Sequence, residues 1–119
     1  ESLIEIPAVD NSADIITKYQ VTKIRKLNRK IGENLKLLYD YRCQICGEQV
    51  GLKYDTHVVQ CHHIDYFTHS LNNDASNLLI VCPNHHNIIH SVNPKFFTDK
   101  QLYLYPNGLH EFLQLNYHL

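Results

Sequence analysis

The sequence predicts a small α+β domain that is cross-linked by bound metal ions. Its 119 residues, 44% of them hydrophobic, suit one globular unit with a modest core. A helical periodicity up to about residue 41 gives way to short β-forming runs. Residues 60–90 hold six of the nine histidines and two of the four cysteines. We therefore expect a lead-in and helical arm at 1–41 and one compact, metal-binding unit at 42–119.

The first segment with a regular pattern is predicted to be a basic helix. Residues 1–11 look extended, and apolar side chains then recur at steps of three and four as far as residue 41, which is typical of an amphipathic helix. Gly32 could divide this stretch into two helices. Seven basic residues and one acid lie at 18–36, although the net charge of the chain is −1. Such a cluster fits a solvated helix face or a surface that binds phosphates.

The middle of the chain alternates between β-forming and turn-forming stretches. VVQCHHI at 58–64 and LLIVC at 78–82 predict two strands, and the polar stretch at 65–76 predicts a loop between them. Residues 84–90 follow a proline and predict a short helix. The tail at 101–115 predicts a strand, a Pro-Asn-Gly turn and a final strand or helix, packed as part of the core or as a lid over it.

Two short motifs predict a structural zinc site. Cys43 and Cys46 form one pair, and Cys82 and His85 form a second pair with the same spacing. Each spacing lets a turn direct two ligands at one tetrahedral ion, and Zn²⁺ accepts three cysteines and one histidine. Cys61 is a rival for the fourth position. A redox pair and unligated core cysteines are weaker alternatives, because the βαβ context of redox pairs is missing here.

The remaining histidines of this segment predict a second metal site. His86 and His90 are four residues apart, so a helix places them on one face. His62 ends a strand that could pack against that helix, and three imidazoles would leave coordination positions open, as a catalytic metal requires. His63 should point to the other side of the strand. It could therefore accept a proton from water instead of binding the ion.

This pattern resembles the HNH endonuclease family, which has a small ββα-metal (His-Me finger) core. The matching stretches are HHI at 62–64, the asparagine before LLIVC, and CPNHHNIIH at 82–90. The three letters of the family name fall on His63, Asn77 and His86. The paired motifs resemble the zinc-bound branch of the family, with a histidine at 85 where cysteine is more usual. The resemblance covers 43–90, and the loop departs from relatives that carry proline and paired glycines.

The resemblance implies a metal-dependent nuclease that hydrolyses DNA phosphodiester bonds. His63 would be the general base. His62, His86 and His90 would hold the catalytic divalent ion, Mg²⁺ or another. Asn77 would fix the loop between the strands, and so the orientation of His63, through backbone hydrogen bonds. The alternative is a non-catalytic zinc-bound nucleic-acid-binding module, which needs only the zinc site and the basic arm. A third hypothesis is a protein-interaction domain that is stabilised by zinc.

The expected partner is double-stranded DNA, bound in part by the basic arm. The residues expected to contact phosphates are Lys23, Arg25, Lys26, Arg29 and Lys30. A double-strand cut by such a nuclease would favour a homodimer. A chain without methionine suggests a part of a longer protein, with further domains, in restriction, phage defence or a mobile element. Neither a signal segment nor a membrane-spanning stretch is present, so we expect a cytoplasmic location and no membrane partner.

Five other side chains are expected to have no part in either site. Asp65 and His69 should lie on the loop or the surface. The three remaining histidines, which lack partners nearby in the sequence, should be ordinary surface residues: His57, His110 and His118.

Overall fold

The computed structural model describes residues 29–66 and 74–119. The described residues form a mixed fold of helices and antiparallel sheets, which confirms the predicted class; the ββα-metal fold stays a prediction. The elements in chain order are α1 (Arg29–Leu38), β1 (Gln60–His63), β2 (Leu78–Val81), α2 (Pro83–Val92), β3 (Lys95–Phe97), β4 (Leu102–Leu104) and β5 (His110–Phe112). None of the helices in these two ranges is long and apolar enough to cross a membrane.

Strand β2 lies at the centre of the described structure. It pairs antiparallel with β1, so that Gln60 is opposite Val81 and His63 is opposite Leu78. All four residues of β2 are buried, because each face of the strand packs against a different layer. Leu78 and Ile80 join a core with α1, whereas Leu79 and Val81 join a core with α2 and the C-terminal sheet. The continuous apolar run that predicted this strand is therefore explained by burial on both faces.

Helix α1 packs on β1 and β2 through one apolar face. Ile31, Leu35 and Tyr39 recur at steps of four and are buried against Val59 and the β2 side chains. Within the described residues, the helix ends at Leu38 and not at residue 41. Two consecutive left-handed residues follow it, with φ of 54° and 58° at positions 40 and 41. The part of the predicted helix before residue 29 lies outside the described ranges.

Gly32 does not divide the helix, so this expectation was wrong. The residue lies inside α1 and is buried. A Cβ atom at this position would lie 3.1 Å from Sγ of Cys61 on β1. Glycine costs roughly 1 kcal/mol in a helix relative to alanine, but here it permits the close approach of α1 to the strand.

Helix α2 and the C-terminal sheet complete the second core. α2 begins after Cys82, whose sulfur accepts a hydrogen bond from the backbone of His85 at 3.4 Å, and it ends at the left-handed Asn93. β4 pairs with β3 on one side and β5 on the other. The predicted strand, turn and final strand of the tail are therefore present, and Tyr103 is buried as core. β3 was not predicted from the sequence.

Candidate metal centres

Four side chains converge at a first centre between β2, α2 and the turn after α1. One ligand atom from each of Cys43, Cys46, Cys82 and His85 lies within 4.8 Å of all the others. Sγ of Cys46 is 4.0 Å from Sγ of Cys82, which in turn is 3.4 Å from Nδ1 of His85. Zinc–sulfur bonds of about 2.3 Å place tetrahedral ligands roughly 3.8 Å apart. These four residues are positioned to hold a metal ion, compatible with zinc.

The first pair is shaped by a tight turn. The backbone N–H groups of Ile45 and Cys46 lie 3.4 and 3.5 Å from Sγ of Cys43. Gly47 closes the turn by donating its N–H to the carbonyl of Cys43, and its φ of 75° is one that side chains rarely adopt. These donors favour a negatively charged sulfur, which is the form that binds metal.

The electrostatics of the first centre favour a bound cation. Burial raises the pKa of Cys43, and it raises the pKa of Cys46 to about 12. Burial acts in the same direction on Cys82, but the backbone and ring of His85 outweigh it and lower the pKa of that thiol. Three thiols so close together, two of them on buried residues, become thiolates when a cation balances their charge.

Cys61 is not the fourth ligand of this centre. Among the described residues, the converging group contains His85 and leaves Cys61 out. Alternation along β1 turns Cys61 toward α1, where it packs against Gly32. Burial there raises the pKa of its thiol to about 12. The rival set of four cysteines is therefore wrong.

A second centre lies between β1 and α2. One ring nitrogen from each of His62, His86 and His90 lies within 4.8 Å of the other two. The ring centroids are 4.7 to 5.3 Å apart, and Nε2 of His86 is 3.2 Å from Nε2 of His90. His62 is only 2% exposed, and its Nδ1 has no hydrogen-bond partner in the described part of the chain. The predicted grouping of these three imidazoles is present.

The environment keeps two of these rings neutral. Burial, followed by the neighbouring histidines, lowers the pKa of His62 to about 3 and lowers the pKa of His86. A side-chain oxygen of Gln60 contacts Nδ1 of His86, which leaves Nε2 directed at His90. Neutral imidazoles with facing nitrogens are a donor set for a transition-metal cation. Mg²⁺ prefers oxygen ligands, so this donor set lends it no support.

His63 and Asn77 lie next to this centre. His63 is half-buried on β1, and it contributes to the lowered pKa of both His62 and His86. Asn77 is buried at the end of a short 3₁₀ turn before β2. Its side chain accepts a hydrogen bond from the N–H of Asp65 at 2.8 Å and donates one to the carbonyl of Asp65 at 2.9 Å. The catalytic roles of His63 and Asn77 stay predictions.

Tyr66 is a neighbour of the second centre that sequence analysis missed. Its ring centroid lies 5.0 Å from that of His90 and 5.9 Å from that of His62. Its hydroxyl donates a hydrogen bond to the side chain of Asn93, just after α2. No local pattern marks this residue, because its contacts depend on how the end of β1 meets α2.

The basic arm lies mostly outside the described residues. This is true of Lys23, Arg25 and Lys26, whereas Arg29 is the first residue of α1 and Lys30 is exposed on it. The expected contacts of these five residues with DNA therefore stay predictions. Asp65 is exposed as expected, and His69 lies outside the described ranges.

His118 is not an ordinary surface residue, so this expectation was wrong. Its Nε2 donates a hydrogen bond to the carbonyl of Leu78, and its Nδ1 accepts one from the hydroxyl of Tyr39. Burial is the main reason that the pKa of His118 is lowered. The C-terminal residues are thereby tied to both α1 and β2. His57, which stacks on Tyr41, and His110 are exposed as expected.

Gln44 is a second structural residue that the sequence analysis missed. It is fully buried beside the first centre, and its side chain accepts a hydrogen bond from the N–H of Ile80 and donates one to the carbonyl of Leu115. A glutamine between two cysteines of a metal-binding turn gives no signal of such burial. Its partners lie 36 and 71 residues away along the chain.

Comparisons with family models, curated proteins and solved structures found no match to this chain. The resemblance to HNH endonucleases therefore depends on the residues quoted above.

Proposed function

We propose that this protein is a metal-dependent endonuclease of the HNH type that hydrolyses phosphodiester bonds of DNA. The observation that carries the proposal is the convergence of His62, His86 and His90 next to His63. A structural zinc site alone would account for the first centre but would leave these histidines unexplained.

His63 is the candidate general base. Hydrolysis of a phosphodiester needs a water that loses a proton as it attacks, and a neutral imidazole accepts a proton near neutral pH. His63 is adjacent to the second centre, it does not belong to the three-histidine group, and it is only partly buried, so that water can reach it.

The candidate ligands of a divalent ion are His62, His86 and His90. Such an ion, when bound, would supply positive charge to the scissile phosphate and the departing oxygen. The unpartnered Nδ1 of His62 and the facing Nε2 atoms of His86 and His90 fit a transition-metal ion better than Mg²⁺. At the first centre we propose a structural zinc ion that fastens the turn at 43–47 to the junction of β2 and α2.

Asn77 is the candidate positioning residue for the loop. Its two hydrogen bonds hold the backbone of Asp65, two residues after His63. A general base acts over hydrogen-bond distances, and a small displacement of it can lower the rate strongly. The DNA itself would be held in part by the basic arm, through phosphate contacts that weaken with salt.

The proposal is tested with supercoiled plasmid and tag-free, zinc-loaded protein. Nicking is measured with Mn²⁺, Co²⁺, Ni²⁺, Zn²⁺ and Mg²⁺ for the wild type, His63→Ala and His110→Ala. His110 is an exposed histidine on β5, so its replacement is a matched control. We expect metal-dependent nicking, which the substitution of His63 lowers by about 10²–10⁴-fold and the control leaves unchanged.

Two outcomes would contradict the proposal. Salt-sensitive plasmid binding without cleavage at any of these ions would favour the non-catalytic zinc-bound module. Cleavage that persists in the His63→Ala protein would show that another group activates water.

A further inference from the structure

Glu111 lies next to the first centre without being one of its ligands. Its Oε2 is 3.1 Å from Nε2 of His85, on the side of the ring opposite the nitrogen that faces the cysteines. Its Oε1 accepts a hydrogen bond of 2.7 Å from the hydroxyl of Tyr105. Both oxygens of the carboxylate therefore have a partner, and the side chain is held in one orientation.

This arrangement fixes which nitrogen of His85 can bind a metal. Nδ1 lies 3.4 Å from Sγ of Cys82 and 3.9 Å from Sγ of Cys43, so it is the nitrogen directed at the centre. Nε2 then carries the ring proton and donates a hydrogen bond to the carboxylate of Glu111. A carboxylate in this position orients a ligating imidazole and makes it a stronger donor.

The surroundings strengthen the contact between Glu111 and His85. The side chain of His85 is 15% exposed and that of Glu111 is 31% exposed. Both line a groove of about 320 Å³ whose other walls include the apolar side chains of Ile88, Val92 and Leu109. The partial burial of both side chains reduces the competition from water, so the charge-assisted hydrogen bond is stronger than at a fully exposed site.

We propose that Glu111 is a positioning residue for the first metal centre, and that it couples the C-terminal sheet to metal binding through His85. The inference rests on the proposed zinc at that centre and is independent of nuclease activity. Glu111 belongs to β5 and Tyr105 follows β4, so the sheet formed by β3, β4 and β5 presents the carboxylate to a ligand on α2.

The test is zinc affinity, measured by competition with a chromophoric chelator. Glu111→Gln keeps the size of the side chain but removes its charge, and we expect it to lower the affinity by about 10–100-fold. Glu48→Gln is the matched control, because Glu48 is an exposed acid two residues after Cys46. The Glu48→Gln substitution also removes one negative charge, but from a side chain that does not contact His85. The zinc affinity of this variant should stay within about twofold of wild type.

A second pair of variants separates positioning from a general effect on the fold. His85→Cys replaces the imidazole by another zinc ligand, which has no ring N–H and therefore cannot donate a hydrogen bond to Glu111. In that background, Glu111→Gln should change zinc affinity by less than about twofold. Circular dichroism at saturating zinc checks that each variant regains the wild-type spectrum.

The outcomes are distinguishable from a failure of the zinc site itself. If the wild-type protein binds no zinc, the first centre is wrong and the inference falls with it. If zinc binds but Glu111→Gln binds as tightly as wild type, only the role of Glu111 is wrong. An equal loss in Glu48→Gln or in the His85→Cys background, or a Glu111→Gln protein that does not refold with excess zinc, also overturns the positioning role.

Discussion

Replacement of Asn77 by aspartate should loosen the loop after β1 without changing the volume of the side chain. An aspartate oxygen can still accept from the N–H of Asp65, but the other oxygen would face the carbonyl of Asp65 where the amide now donates at 2.9 Å. One hydrogen bond is lost and two acceptors are brought together. For a buried residue this should lower the free energy of unfolding by about 1–3 kcal/mol.

The same substitution should also reduce the cleavage rate of the folded, zinc-loaded protein. Asp65 lies two residues beyond His63, so a loosened backbone would displace the proposed base, and a misplacement of about 1 Å can cost roughly 100-fold in rate. Zinc content should not change, because the amide contacts Asp65 and none of the ligands of the first centre.

Urea unfolding and plasmid nicking of the zinc-loaded protein measure the two effects. Asn107→Asp is the matched control, because Asn107 is exposed and its oxygen accepts from the N–H of Leu109, a role that aspartate retains. The control should stay within about 0.5 kcal/mol of wild type. A variant Asn77→Asp that is as stable and as active as wild type would show that the loop does not depend on this amide.

Three further predictions concern the scaffold. Removal of zinc by a chelator should unfold the region around the first centre, since structural zinc contributes about 10–16 kcal/mol in small peptides; an unchanged melting curve would contradict this. Gln44→Leu should cost about 2–4 kcal/mol in urea, because the N–H of Ile80 and the carbonyl of Leu115 lose their partner; no loss would mean that water replaces the amide. The folded state binds a proton at His118 more weakly than the unfolded chain does, because burial lowers its pKa below 6.5. Its contribution to stability is therefore complete above pH 6.5 and is lost as the pH falls below that value. The urea concentration at the unfolding midpoint should change less between about pH 7.5 and 5.5 in His118→Gln than in wild type. An equal change would show that His118 does not cause this pH dependence.

Local spacing was enough to predict three pairs of potential metal ligands within the two groups. The pairs at 43 and 46, at 82 and 85, and at 86 and 90 are each shaped by one turn or one helix, so sequence separation determines geometry. The choice of the fourth ligand was left open because it depends on which face of β1 packs against α1. That depends on tertiary contacts, and Cys61 turned out to face the helix.

Residues with long-range polar contacts could not be predicted in the same way. Gln44, Glu111 and His118 each have a hydrogen-bond partner 26 to 79 residues away. No periodicity connects such positions, and each residue type is common on surfaces. The prediction that Gly32 divides the helix failed for a related reason. Helix propensity takes no account of the strand that packs closely against this glycine.

If the chain holds two separate ions, calorimetric titration of Ni²⁺ or Co²⁺ into zinc-loaded protein will detect the second one. We expect the wild type to take up one further ion while its zinc stays in place, and the protein with both His86→Ala and His90→Ala to take up none. If the wild type bound no second ion, or if the double variant bound it equally well, the three-histidine centre and the proposed nuclease chemistry would both be contradicted.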